Sequence, residues 1–151
     1  HVSLGSLRVR QDYLIAQAFA SPFANNNSNT DPMLKMALAR LRQLSAHEVG
    51  HTIGLSHNYV SSVADRASVM DYPHPVFSFS ANNLELNNAY ATGIGAWDKR
   101  AIQWGYTEFS SGTDENQTLD KLIKETNDMG LPYLTDQDAR PIGSAHPSNH
   151  L

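Results

Sequence analysis

The stretch His47-Glu48-Val49-Gly50-His51-Thr52-Ile53-Gly54-Leu55-Ser56-His57 restricts what this chain can be more than any other. Its pattern is H-E-x-x-H-x-x-G-x-x-H. In a helix, four residues turn the chain through about 400° and raise it about 6 Å, so the imidazoles of His47 and His51 leave the same face. Two imidazoles on one face can each give a nitrogen to a single zinc ion at about 2.0–2.1 Å. Glu48 stands roughly 100° around the helix from His47. That is a poor place for a third ligand, but within reach of a water held by the metal. Gly54 tolerates the left-handed backbone that stops a helix, so the chain can turn and bring His57 back as the third ligand. Three protein ligands leave the fourth tetrahedral position to water, the mark of a catalytic rather than a structural zinc site. The competing reading is a set of surface histidines on an ordinary helix. Five specified positions of these residue types coincide by chance with odds on the order of one in 10⁵, which weighs against it.

The chemistry that follows is water activation. Zinc is a Lewis acid that lowers the pKa of its water towards 7. Glu48 accepts the proton and returns it to a leaving amine, the sequence of transfers that amide hydrolysis requires. Composition narrows the rest. A chain of 151 residues with 40% hydrophobic content fits one folded domain over 1–151. The net charge of −4, with no basic stripe, gives no sign of nucleic-acid binding. No apolar run approaches the roughly 18 residues of a membrane span. With no cysteine, the redox compartment is not encoded. The chain begins at His1 with no signal peptide and reads as a fragment of a longer polypeptide.

Along the chain, residues 2–7 read as a short extended segment. Val9, Tyr13, Leu14, Ala16, Ala18 and Phe19 predict a helix from Arg8 to about Ala20, stopped by Pro22. Asn25 to Thr30 is a polar loop, with calcium binding the lesser alternative. Asp31 is an N-cap and Pro32 a first helical residue, so a long helix should run from about 32 to 53. Leu34, Ala37, Leu38, Leu41 and Leu44 form its apolar stripe, with Lys35, Arg40 and Arg42 pointing elsewhere. Residues 58–67 connect to Ser68-Val69-Met70-Asp71-Tyr72, where a methionine in a tight turn reads by default as core. Val76 to Leu86 predicts a small hairpin. A helix over Ala96 to Trp104 should end at Gly105, with Trp97 and Trp104 in the core. Thr113 or Asp114 caps a helix over about 115–129, with Leu119, Leu122, Ile123 and Met129 inward and Gly130 at its end. From Leu131 the chain reads as a surface strap. His74, His146 and His150 lack ligand spacing and read as ordinary polar residues.

The zinc pattern and Ser68-Val69-Met70-Asp71-Tyr72, taken together, resemble the metzincin metallopeptidases, whose hallmark is a methionine-containing turn beneath the zinc. The chain is also similar to a bacterial metzincin-type family of large zinc-dependent metallopeptidases. Softer matches to it are Gly5 to Tyr13, Gly95-Ala96-Trp97-Asp98 and Leu134 to Arg140. The resemblance implies a mainly α chain (α+β overall), a metzincin-like catalytic-domain portion with a long active-site helix, a Met-turn and a small β-hairpin. It implies Zn2+ as cofactor, a peptide or protein as substrate, and a secreted or periplasmic setting in a bacterium. Tyr72 matches a tyrosine that in some metzincins sits near the zinc and helps stabilise the transition state. Metzincins also carry a sheet before the active-site helix, with an edge strand that aligns substrate. The residues before position 32 are too few for it, so it belongs to the rest of a parent polypeptide or is absent.

Two other readings remain open. One is a gluzincin-like peptidase whose third ligand is a downstream glutamate such as Glu85. The other is a zinc-stabilised, non-catalytic interaction domain, against which Glu48 argues, because a structural site has no use for a base. The zinc-peptidase reading is compatible with an isolated fragment that is inactive by itself.

Overall fold

A computed structural model describes residues 32–80, 83–135 and 138. The expected Arg8–Ala20 helix, the Asn25–Thr30 loop and most of the strap lie outside the described residues. Those residues are mainly helical, with helices α1 (Pro32–Thr52), α2 (Ala96–Tyr106) and α3 (Glu115–Asp128), a short 3-10 helix (Tyr59–Val63) and two strands. Strands β1 (Ser78–Ser80) and β2 (Asn83–Glu85) pair antiparallel with Ser78 opposite Glu85, forming the hairpin expected over 76–86. The chain divides into two compact units, one of residues 1–48 and 73–93, the other of residues 49–72 and 94–151. The boundary falls within α1, so one unbroken helix carries residues of both units.

In the first unit, Met36, Leu86, Ala89 and Tyr90 make a buried cluster, with Ala39 and Phe77 against it. The α1 face this selects is not the leucine stripe. Met36, Ala37, Arg40, Gln43 and His47 are buried, whereas Leu34 is exposed and Leu38, Leu41 and Leu44 are half-buried. Arg40, expected to point away, lies at 1% exposure with its guanidinium 5.5 Å over the Tyr90 ring and donating to Gln43 Oε1. A cation over an aromatic face retains electrostatic stabilisation after losing water, and the long side chain supplies apolar packing. The face that carries His47 is therefore the buried one, at the expense of the leucine count.

In the second unit, α2 and α3 pack together. Arg100 of α2 donates to Leu122 O at 3.1 Å and Thr126 Oγ1 at 3.0 Å, and pairs with Glu125 at 2.7 Å. The Arg100 hydrogen bond holds the exposed Glu125 carboxyl below its ordinary range. Asp114 is the α3 cap, its Oδ1 accepting from Gln117 N at 3.0 Å. Helix α2 runs through Gly105 to Tyr106, since Tyr106 Oη donates to Ile53 O at 2.8 Å and holds the last turn. Trp97 is buried and stacks on Tyr133 with ring centroids 5.0 Å apart. Trp104, expected in the core, is 48% exposed, and Ile123 and Met129, expected inward, are also exposed. Trp97, Trp104, Leu122, Ile123 and Tyr133 instead line an apolar cleft of about 380 Å³.

Candidate metal centre

Helix α1 ends in a way that builds the site. Gly54 takes φ +88°, Gly54 N donates to His51 O at 3.1 Å, and Leu55 N donates to Gly50 O at 3.0 Å. These two bonds form a Schellman cap, in which a glycine leaves the helix in left-handed backbone and satisfies the last carbonyls. The cap turns the chain towards His57 and also sets His51. The carbonyl of Leu55, brought back by the turn, accepts the Nδ1 hydrogen of His51 at 2.8 Å. That fixes the tautomer and makes Nε2 the nitrogen that carries the ring's in-plane lone pair.

His51 Nε2 and His57 Nε2 are 3.2 Å apart. Two nitrogens about 2.0–2.1 Å from one tetrahedral ion are separated by roughly 3.3–3.4 Å, so this pair already stands at ligand spacing. His47, one turn before His51 on the same helix and buried, completes the cluster, and the three ligand atoms lie within 4.8 Å of one another. The donor set of three imidazoles fits a zinc ion with one position open. Among the described residues the cluster is made of His47, His51 and His57 and does not include Glu85, which lies in β2 and takes a hydrogen bond from Asn87. Glu48 is exposed on α1 next to His47.

The methionine turn packs against α1 at Gly50. Met70 is fully buried, and its Sδ fills the space a side chain on Gly50 would need. Asp98 of α2, 1% exposed, holds the turn in place. Its carboxylate accepts from Ser68 Oγ at 2.5 Å, Val69 N at 2.8 Å and Gly95 N at 2.6 Å, and Ser68 Oγ in turn accepts from Met70 N at 2.9 Å. Beyond the turn, Asp71 takes hydrogen bonds from Ser61, Ser62 and the Tyr72 amide. Tyr72 Oη then arrives 3.1 Å from His57 Nε2, on the ligand side of that ring. Tyr59 Oη lies 3.1 Å from Nδ1, the other nitrogen of His57.

The spacing-based reading expected His47, His51 and His57 together, and the family resemblance expected Tyr72 near them; the structure brings the three histidines together and sets Tyr72 Oη beside His57. Neither reading assigned a role to Asp98 or Tyr59. Asp98 stood in a stretch singled out by resemblance alone, and nothing local in the sequence connects it to a turn thirty residues earlier.

A sequence model of the family described as Met-zincin matches residues 29–151. The chain belongs to the Met-zincin family. No curated protein and no solved structure matches it. The match covers all the described elements, and the histidine cluster within it fits the zinc-binding motif of such proteins. Family and cluster together mark a metallopeptidase-type domain with a metal site. Among the described residues of this Met-zincin chain, no helix is long and apolar enough to cross a membrane.

Proposed function

We propose that this Met-zincin chain is the catalytic portion of a zinc metallopeptidase that hydrolyses internal peptide bonds. In this reading, His47, His51 and His57 hold zinc, Glu48 is the general base and Tyr72 stabilises the oxyanion. The observation that carries it is the convergence of His51 Nε2, His57 Nε2 and Tyr72 Oη at the end of a helix that also carries His47 and Glu48.

Bound zinc would supply Lewis acidity and a water acidic enough to attack at neutral pH. His51 holds its Nε2 lone pair towards the site because its Nδ1 is already committed to the Leu55 carbonyl. Glu48 is exposed and therefore accessible to solvent and substrate. It takes the proton of the attacking water and delivers it to the departing amine, which would otherwise leave as an unstable anion. The Tyr72 hydroxyl, a neutral donor beside the ligand nitrogen, hydrogen-bonds the charge that develops on the carbonyl oxygen. Met70 contributes a close-packed floor, since a thioether is a weak ligand for zinc and does not compete with imidazole.

The substrate is a peptide or protein, and residues 1–151 form a single catalytic domain portion. A secreted or periplasmic bacterial setting accords with the family resemblance. The absence of Glu85 from the cluster supports the histidine set over a gluzincin-like one. Glu48 beside the cluster supports an enzyme over a zinc-stabilised interaction domain.

Glu48→Gln tests the assignment in the full-length protein. The variant should retain zinc by elemental analysis and lose peptide hydrolysis by about 10²–10⁴-fold, the usual contribution of a general base. A fully metallated Glu48→Gln protein that cleaves at the wild-type rate would remove Glu48 from the mechanism.

A further inference from the structure

We propose that Tyr59 is a positioning residue of the metal centre: its phenol oxygen accepts the Nδ1 hydrogen of His57 and thereby presents Nε2 as the ligating atom. The proposal rests on the reading of the three histidines as metal ligands, and extends it to the group that orients the third.

A neutral imidazole has one N–H and one bare nitrogen. For His57 to ligate through Nε2, the atom that faces His51 Nε2 and Tyr72 Oη, its hydrogen must sit on Nδ1. Whatever faces Nδ1 must then accept. The facing atom is Tyr59 Oη at 3.1 Å. His51 meets the same requirement with a backbone carbonyl, at 2.8 Å. His57, outside the helix and its cap, has a side chain in that place. Tyr59 is half-buried, so its own hydroxyl hydrogen can turn outward while the oxygen accepts.

The two rings also lie face against face. Tyr59 and His57 stack with centroids 5.1 Å apart and an interplanar angle of 26°. The residue between them is fixed independently. Asn58 is fully buried, its N donates to Met70 O at 2.9 Å, its Nδ2 donates to Pro132 O at 3.0 Å, and its Oδ1 accepts from Leu134 N at 3.3 Å. Tyr59 then opens the 3-10 helix Tyr59–Val63. The backbone between His57 and Tyr59 and after Tyr59 is thus anchored, and the hydroxyl-to-Nδ1 contact rests on held backbone rather than on a loose segment.

Tyr59→Phe keeps the stacked ring and deletes only the acceptor. Loss of such an outer partner typically weakens metal binding about 10–100-fold. The experiment measures zinc affinity of wild type and Tyr59→Phe by competition with a chromophoric chelator. Alongside it, nitrogen-15 NMR reads the His57 tautomer in the metal-free proteins in mildly alkaline buffer. The expected result is Nδ1–H in wild type, a shift towards Nε2–H in Tyr59→Phe, and affinity lowered about 10–100-fold. A merely structural tyrosine would lower the melting temperature without moving the tautomer. Equal affinities in the two proteins overturn the proposal. So does an Nε2–H tautomer of His57 in wild type, a measurement that needs no variant to fold. If wild type itself binds no zinc, the reading of the triad fails, an outcome separate from equal, tight binding by both proteins.

Discussion

Tyr72 stands where a small chemical change separates catalysis from packing. Its hydroxyl lies 3.1 Å from His57 Nε2, and its side chain is more than a third exposed, so the ring contributes little to a core. Removing the hydroxyl in Tyr72→Phe should lower turnover by as much as about 10²–10³-fold, the range for loss of an oxyanion donor. Zinc content and melting temperature should hold. Unchanged turnover in Tyr72→Phe, with destabilisation only in Tyr72→Ala, would leave the residue a packing role. At this scale the sequence was legible wherever chemistry is tied to a fixed spacing. His47, Glu48 and His51 take their geometry from the helix, and the glycine turn at Gly54 brings His57 back towards them. Tyr59 was not legible. It lies two residues after His57, and no rule of spacing says that a phenol there will meet Nδ1; the contact depends on the anchoring of Asn58 between them. Arg40 misled for a related reason. A charged residue beside a leucine stripe is ordinarily solvated, and only the Tyr90 ring at 5.5 Å makes its burial intelligible.

The elements that matter most are the Met-turn and α2, and one carboxylate joins them. Asp98 accepts from Ser68, Val69 and Gly95 while almost wholly buried. Hydrogen bonds to a charged acceptor are each worth about 1.5–3 kcal/mol, and a donor left buried without one costs a comparable amount. Asp98→Ala should therefore destabilise the folded protein by about 2–5 kcal/mol in denaturant titration. Asp98→Asn, which keeps the shape and one acceptor, should cost less. An effect of Asp98→Ala within about 0.5 kcal/mol, the range of ordinary surface changes, would contradict this account of the turn. Element boundaries were largely readable, since Pro32, Gly54 and Asp114 mark ends by their own backbone and capping preferences. Element faces were less so. The leucines of α1 and the second tryptophan of α2 share the helical period with the buried residues, and which side is covered is decided by distant segments. Trp104 lines a cleft because α3 leaves it partly uncovered, which its own neighbours in sequence do not encode.

At the scale of the whole molecule, the Met-zincin match over residues 29–151 and the histidine cluster describe one thing from two directions. The sequence pattern belongs to a family, and the fold brings its histidines together. The mainly helical character was legible because helical periodicity and capping recur through the chain; the division into two units was not, because it cuts through α1 with no break in helical pattern. The central claim is that the cluster is a metal site, and zinc stoichiometry tests it most directly. Purified protein incubated with zinc and desalted should carry about one ion per chain, the occupancy of a single three-histidine site. Acidification should release the ion, because ligating imidazoles must be unprotonated. His57→Ala, with two ligands left, should retain far less under the same desalting. Wild-type protein that retains no zinc, or a His57→Ala protein that retains as much as wild type, would contradict the account.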